Sequence, residues 1–318
     1  MTNTRLIFPM LLLSTFFTPG AGAEEKGAEL SVMTFNCWYQ FTKVNGGITK
    51  AVASIKEAGA DVIGLQECSV ETADKLAAEL GFHRAKSGSG GAQIVSRHPI
   101  LETFDVGGID PARAVAAKIH MDGKPGHDFI LFNIHLDAGH YGPYAARPTG
   151  STSEQVMAEE RKSQRTRQIT GILESMATHL AQSDATPVFL TGDFNSPSHL
   201  DRVEKTTSSH PGITSMPWPA TVLPFQAGLV DSFRLLHPDP VETPGTTWST
   251  IHKEGEPQDR IDYIFHKGKG IRPITSRVFA GKAGKTIGEW GCDISPVVDN
   301  PWPSDHAAVV TVYRFGPK

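Results

Sequence analysis

Short apolar runs of strand length, each ending in a polar residue, recur along the chain, and stretches with helical spacing separate them. The clearest is Pro187-Val188-Phe189-Leu190, which leads into Thr191-Gly192-Asp193-Phe194-Asn195 and is stopped by Ser196-Pro197-Ser198. That pattern predicts a buried strand delivering Asp193 and Asn195 at its end. Side chains two apart on an extended segment share a face, so a carboxylate and a carboxamide stand together at a strand terminus.

The same grammar runs from the start of the chain. Glu29 to Cys37 predicts a first strand ending in Thr34-Phe35-Asn36, and Ile48, Val52 and Ile55 predict a helix that Gly59 closes. Asp61 to Leu65 predicts a second strand ending in Gln66-Glu67. The strand–helix–strand order makes the pair parallel, with Asn36 and Glu67 at carboxyl ends. Ser69 caps a second helix, with Val70, Ala73, Leu76, Ala77 and Leu80 on one face, ended by Gly81. Shorter strands follow at Gly91 to Ser96, Arg113 to Met121 and Asp128 to His135, and the Gly-rich run at 87–91 reads as a hairpin loop. The last of these strands delivers the third polar terminus, Asn133-Ile134-His135-Leu136-Asp137. An irregular insert, Ala138 to Thr152, carries His140, Tyr141, Tyr144 and Arg147. Glu154 to Thr178 then predicts one long helix, its basic first half (Arg161, Lys162, Arg165, Arg167) a solvated face. A Pro- and Trp-containing stretch from His210 to Phe225 reads as a surface excursion. Thr246-Thr247-Trp248 and Asp259 to His266 predict adjacent strands. Within the second, Asp262 interrupts an apolar run, which is costly unless the carboxylate has a partner. Gly281 to Thr286 mimics a Walker loop, but Phe279 stands where its first glycine belongs. Ser304-Asp305-His306 precedes a final alternating strand, Ala307 to Phe315.

The first 23 residues change the picture of where the chain acts. Arg5, the apolar run Leu6 to Phe17 and Ala21-Gly22-Ala23 before Glu24 predict a secretory signal, too short to span a bilayer. The expectation is a secreted or periplasmic monomer with no transmembrane segment and a single domain over 24–318. Without residues 1–23, which hold one of the 30 basic residues and none of the 34 acidic ones, the net charge is 29 − 34 = −5. Tight, sequence-indifferent nucleic-acid binders are normally basic. Of the three cysteines, Cys37 and Cys68 follow Asn36 and Glu67 at strand ends, so they either pair in an oxidising compartment or remain buried thiols.

Asn36, Glu67, His135, Asp193, Asn195, Asp262, Asp305 and His306 thus form one set of polar groups in or beside apolar strands. Hard oxygen ligands suit Mg²⁺, Mn²⁺ or Ca²⁺ rather than structural zinc, and histidines with spare carboxylates suit proton handling and phosphoryl charge. There is no His-Glu-x-x-His signature and no Gly-x-Ser-x-Gly elbow.

Thr34-Phe35-Asn36, Leu65-Gln66-Glu67, Ile134-His135-Leu136-Asp137, Gly192-Asp193-Phe194-Asn195, Asp259-Arg260-Ile261-Asp262-Tyr263 and Ser304-Asp305-His306, in this order, resemble the endonuclease/exonuclease/phosphatase superfamily over residues 29 to 315. That group includes DNase I, apurinic endonucleases, neutral sphingomyelinases and inositol phosphatases. The resemblance implies a DNase I-like α/β fold, a four-layer sandwich of two packed mixed sheets flanked by helices. It also implies a metal-dependent phosphoric ester hydrolase. In it Glu67 is the principal metal ligand with Asn36 and Asp305, and Asp193 orients or deprotonates water. Asn195 binds phosphate, Asp262 holds His306, and His135 donates to a non-bridging oxygen. Two departures stand out. Ala307 follows His306 where many relatives have a basic residue, and the acid that steadies the first histidine in DNase-like members has no convincing counterpart beyond a guess at Glu102. The substrate implied is a small phosphodiester, a phospholipid headgroup or nucleic acid. A secreted nuclease would need a basic groove, for which only 161–167 offers cations. A sphingomyelinase-like enzyme would need an exposed apolar hairpin, for which Trp218 and Phe225 are thin candidates. The non-enzyme alternative is a catalytically silent secreted binding protein on the same scaffold.

Overall fold

A computed structural model describes residues 27–86, 90–124, 126–148, 150–210, 212–213, 215–251, 256–280 and 297–316. The expected signal segment, Cys292, the tip of the hairpin loop at 87–89 and the Walker-like stretch at 281–286 lie outside them. The strands are β1 (Glu29–Asn36), β2 (Val62–Cys68), β3 (His83–Arg84), β4 (Gly91–Ser96), β5 (Ile100–Phe104), β6 (Ala114–His120), β7 (Asp128–His135), β8 (Val188–Asp193), β9 (Val230–Asp231), β10 (Asp262–Lys267), β11 (Ile271–Phe279) and β12 (Ala308–Phe315). The helices are α1 (Gly47–Ala58), α2 (Val70–Leu80), α3 (Gly142–Ala146), α4 (Ser153–Glu160), α5 (Arg165–Ala181), α6 (Pro219–Gln226) and α7 (Ser232–Leu236).

Two six-stranded mixed sheets form, in the orders β11-β12-β1-β2-β4-β3 and β5-β6-β7-β8-β10-β9. Only β1/β2 and β7/β8 pair in parallel within them, and the other neighbours run antiparallel. One core lies between the sheets, built from Val32, Val62 and Ile94 on one side and Val115, Leu131, Phe189 and Ile264 on the other. A second packs α1 and α2 on the outer face of the first sheet through Ile55, Leu76 and Phe35. A third packs α5 and α6 on the outer face of the second through Ile169, Ile172 and Phe132. The layers are therefore helix, sheet, sheet, helix, the α/β sandwich expected, and its strand runs are continuous rather than alternating because both faces are covered.

Directly beneath the strand ends the inter-sheet core turns polar. Gln66 Nε2 donates to Thr34 Oγ1 at 3.1 Å and to Asn133 Oδ1 at 2.6 Å, and Asn133 Nδ2 donates to the carbonyls of Leu65 and Gln93 at 2.8 and 2.9 Å. A Cβ on Gly64 would meet Asn133 Oδ1 and Thr191 Oγ1 at 2.4 Å, so glycine is what lets the sheets close on this bridge. A buried network of this kind, in which only Gln66 Oε1 lacks a hydrogen-bond partner, ties the two sheets together at this level.

Several expectations give way here. The long helix over 154–178 is two helices, α4 and α5, with a break at 161–164. Arg165 causes it: the side chain is fully buried, ion-paired to Glu160, and donates to the carbonyls of Asp137, Gly139 and His140. Asp137 Oδ2 accepts Gln164 N–H at 2.8 Å and so starts the second helix. Of the basic run only Arg165 leaves the solvent, to anchor the 137–140 loop; Arg161, Lys162 and Arg167 are exposed as expected, Lys162 in a surface pair with Glu159. The insert at 138–152 contains α3, and its Ala146 joins Val156, Met216 and Trp218 in a small fourth core. Trp218 is fully buried, so 210–225 is not the surface excursion its composition suggested, although Phe225 is 56 % exposed. Thr246–Trp248 forms no strand; Trp248 makes only isolated bridges to Asp259 and His306. Strands β5 and β11 carry too little periodicity to have been predicted.

Candidate active site

Strands β1, β2, β7 and β8 end at one edge of the sandwich, and the antiparallel β10 starts there, with Asp262 opposite Asp193. His306 sits just before β12, which pairs antiparallel with β1. Six chain segments thereby carry Asn36, Glu67, His135, Asp193/Asn195, Asp262 and Asp305/His306 to one place. An open cleft of about 850 Å³ is lined by Glu67, His135, Asp193, Asn195, Asp305 and His306 together with Trp38, Tyr39, Trp248 and Arg113. A larger groove of about 1160 Å³ runs beside it along α5. It shares Arg113 but contains none of the eight predicted residues, so the smaller cleft is the candidate site.

Asp193 stands at its centre. Asn36 Nδ2 donates to Asp193 Oδ2 at 2.9 Å, and the Asn195 backbone N–H donates to Asp193 Oδ1 at 2.8 Å. His135 Nε2 and His306 Nε2 lie 3.6 and 3.7 Å from Asp193 Oδ2. A Cβ at position 192 would strike the Ile134 carbonyl oxygen at 2.2 Å, so Gly192 is needed for β8 to run tight against β7 just below this point. Burial pushes the Asp193 carboxyl up to about 7; the neighbouring Asp262 adds to the shift and His306 opposes it.

His306 Nδ1 is 2.9 Å from Asp262 Oδ2, and both side chains are buried, only His306 reaching the cleft. Burial works against the imidazolium, but Asp262, Asp193 and Asp305 outweigh it and hold His306 well above its ordinary value. The backbone around it is pinned: Ser304 Oγ donates to the Asn36 carbonyl at 2.7 Å and accepts His306 N–H at 3.1 Å, while Trp302 Nε1 donates to the His306 carbonyl at 2.7 Å. Thr247 Oγ1 accepts the N–H groups of Ile261 and Asp262 at 3.0 and 3.2 Å, which fixes the partner. His135 is the opposite case. Burial lowers it to about 4, helped by Arg113 and opposed by Glu67, so at neutral pH it is a neutral imidazole with one N–H to donate.

The surrounding motif residues hold rather than react. Arg260 is clamped between Asp201 and Asp231, Asp259 takes a bidentate pair from Arg202 at 2.9 Å, and the Tyr263 hydroxyl donates to the carbonyls of Ser196 and Arg260. Of that motif, only Asp262 reaches the site, buried behind His306 and bonded to its Nδ1. Glu102 is not the partner of His135: it is exposed on β5, opposite Lys118. Cys37 and Cys68 are free and buried, their thiols donating to the carbonyls of Phe35 and Ser69; burial, then the neighbouring Cys68, push the Cys37 thiol well above its ordinary value.

Sequence reasoning missed Arg113. It follows a short 3₁₀ turn at Pro111–Arg113, donates to the Leu136 carbonyl at 3.2 Å and lies close enough to His135 to shift it. Among the described residues no carboxylate pairs with it. It was invisible because an arginine at the start of a predicted strand carries no pattern.

The donor set fits a hard divalent cation. Glu67 and Asp305 are carboxylates on the cleft wall, and Asp305 Oδ1 is a buried oxygen with no hydrogen-bond partner. Ligand atoms of Asp193, Asp262 and His306 also lie within 4.8 Å of one another. That trio is already committed internally, since His306 Nδ1 is engaged by Asp262, so Glu67 and Asp305 are the better holders. Asn36 turns its amide nitrogen, not its oxygen, to Glu67 (3.3 Å) and Asp193; its Oδ1 accepts Trp38 N–H at 2.9 Å. In this arrangement Asn36 bridges two carboxylates.

Fold and site together define the class, an α/β-sandwich hydrolase of the DNase I-like architecture. The profile of the Endonuclease/Exonuclease/phosphatase family matches residues 33–306, and the chain belongs to that family. An uncharacterized protein of Caenorhabditis elegans is 32% identical over 309 residues, covering 90% of this chain and 91% of that protein. Among solved structures, a mannosyl-6-phosphatase of Bacteroides thetaiotaomicron superposes with a TM-score of 0.58 at 18% identity, covering 90% of this chain and 100% of that one. D. rerio TDP2 complexed with a single-strand DNA product gives 0.56 at 16% identity, with 90% and 99% covered. The human Nocturnin catalytic domain with a bound sulfate anion gives 0.56 at 17%, with 90% and 94% covered. At these identities the three share the fold.

Proposed function

We propose that the chain is an exported, divalent-metal-dependent phosphodiesterase that cleaves a P–O bond by in-line attack of water. The observation that carries this is the convergence of a buried carboxylate poised near neutrality, Asp193, with a His306–Asp262 pair and a neutral His135 around one open cleft.

In this reading Asp193 accepts the proton of the attacking water. A base whose pKa lies near the working pH combines a large ionised fraction with useful basicity. His306, kept protonated by its carboxylates, stabilises the charge that builds on the phosphoryl oxygens, and Asp262 fixes its tautomer and direction. His135 and Arg113 donate to a non-bridging oxygen from the other side, and Asn195 orients the phosphate. Glu67 and Asp305 would hold Mg²⁺, Mn²⁺ or Ca²⁺, whose chemistry is neutralisation of phosphate charge. Export rests on the leader pattern of residues 1–23.

Two rival substrates lose support. A lipid-docking hairpin loses Trp218 to burial and keeps only the exposed Phe225. A basic nucleic-acid groove at 161–167 loses Arg165, which is buried in its pair with Glu160. A small phosphodiester fits best. The test is a screen of the purified full chain against a chromogenic phosphodiester, a phosphomonoester, plasmid DNA and sphingomyelin, with each divalent ion in turn. Turnover confined to DNA or to sphingomyelin would overturn the assignment.

A further inference from the structure

We infer that Tyr39 determines specificity at this site: its ring is a platform for the ring of a ring-bearing phosphoester, a nucleoside or a hexose, whose phosphate lies toward His135 and Arg113. This rests on the phosphoesterase reading. The first observation is strain. Trp38, Tyr39, Gln40 and Phe41 adopt φ of 40°, 53°, 65° and 61°, four successive residues with side chains in the left-handed region. L-residues avoid it because Cβ crowds the following carbonyl, and such strain persists where the surroundings enforce it, most often at functional sites.

The second observation is what the strain achieves. Tyr39 N–H donates to Glu67 Oε2 at 2.8 Å and Gln40 N–H to the Glu67 carbonyl at 3.0 Å, which ties the turn to the cleft wall. Phe41, 2 % exposed and 5.1 Å from Phe35, anchors its far end in the core. Between these fixed points the Tyr39 side chain is driven outward. At 61 % it is the most exposed large apolar side chain among the described residues, and it lines the cleft. Lys43 Nζ stands 4.6 Å from its ring centroid, and no described carboxylate pairs with that ammonium. The indole of Trp248 is also set rigidly in the cleft wall, by its Nε1 to Asp305 Oδ2 at 3.3 Å and by edge contact with Tyr141. A rigid aromatic face rewards a flat partner, whereas a flexible alkyl chain gains little from it.

The test is calorimetric binding to the full chain carrying His306→Ala, so that no probe is consumed, with Mg²⁺ present. The probes are a nucleoside monophosphate, a hexose 6-phosphate and glycerol 3-phosphate. At least one ring-bearing probe should bind more tightly than glycerol 3-phosphate, and the first two arms tell nucleoside from sugar. Adding Tyr39→Ala should reduce that ratio roughly tenfold, as expected for one stacked ring; Tyr39→Phe should preserve it. Tyr39→Gly, which relieves the backbone, should lose the ratio as alanine does. Equal affinity for all three probes, binding of none, or an equal loss for all three in Tyr39→Ala would overturn the inference. Failure of the phosphoesterase reading appears separately, as ring preference in binding with no turnover by the unmodified protein.

Discussion

Asp262→Asn is the most informative single change, because it keeps shape while removing one charge from the centre of the site. Asp262 is wholly buried, and its Oδ2 is 2.9 Å from His306 Nδ1. It is the foremost of the three carboxylates that keep His306 protonated against burial, so the asparagine variant should lower the His306 pKa and weaken the imidazolium. Breaking a buried pair by deleting a partner costs about 3–5 kcal/mol. Asparagine retains a hydrogen bond and relieves the repulsion that raises Asp193, so the stability loss should be smaller, about 1–3 kcal/mol. The effect on kcat should be larger, about 10²-fold or more, as for groups that handle protons or charge in the transition state. His306→Ala should damage the same step. The double variant should then be little worse than either single one, since residues acting as a unit fail together. His135→Ala combined with Asp262→Asn should lose more than either alone. The assay is kcat on a chromogenic phosphodiester at saturating metal, with thermal melts as control. Full additivity between Asp262 and His306 would refute the pairing.

Arg113→Met should lower kcat/KM about 10²-fold with little change in thermal midpoint, because the guanidinium holds only one carbonyl; an unchanged kcat/KM would remove it from the site. Glu160→Gln should destabilise by about 3–5 kcal/mol, since it leaves the Arg165 charge buried and unpaired; urea unfolding measures this, and a change under 1 kcal/mol would contradict it. His266, 6 % exposed, is pushed by burial down to about 4 in the folded chain, with Asp231 opposing, against about 6.5 unfolded. Between those values the unfolded chain takes up a proton the folded one refuses, so stability is full above pH 6.5 and falls toward pH 4, by up to about 3 kcal/mol. Urea melts of the wild type and His266→Asn should therefore show the variant losing less between pH 7 and 4.5; identical losses would sink the assignment.

Strand ends were readable because each couples a buried apolar run to one polar residue, a local pattern; Asp193, Glu67 and His135 all stood out that way. The two sheets followed from the resemblance and from strand count. What stayed hidden depends on distant partners. Arg165 looks like a solvated arginine until Glu160 and three loop carbonyls surround it, and that burial splits the helix at 161–164. Trp218 looks exposed among prolines until Ala146, Val156 and Met216 close over it. Gln66 and Asn133 sit inside motifs but serve to bridge the sheets, and Arg113 enters the cleft from a turn with no sequence signature. Asn36 stands out by its type and place, but that its amide lies between Glu67 and Asp193 only the geometry reveals.

The most direct measurement is phosphodiester hydrolysis by the chelator-stripped full chain, with and without restored Mg²⁺ or Mn²⁺, for the wild type and Glu67→Gln. The stripped wild type should be inactive and regain turnover on addition of either ion. Glu67→Gln should melt at nearly the same temperature yet require a higher metal concentration for half-maximal rate, because it loses a ligand charge without losing shape. Hydrolysis insensitive to chelation, or none with any divalent ion, would contradict a metal-dependent phosphoesterase centred on Glu67, Asp193 and His306.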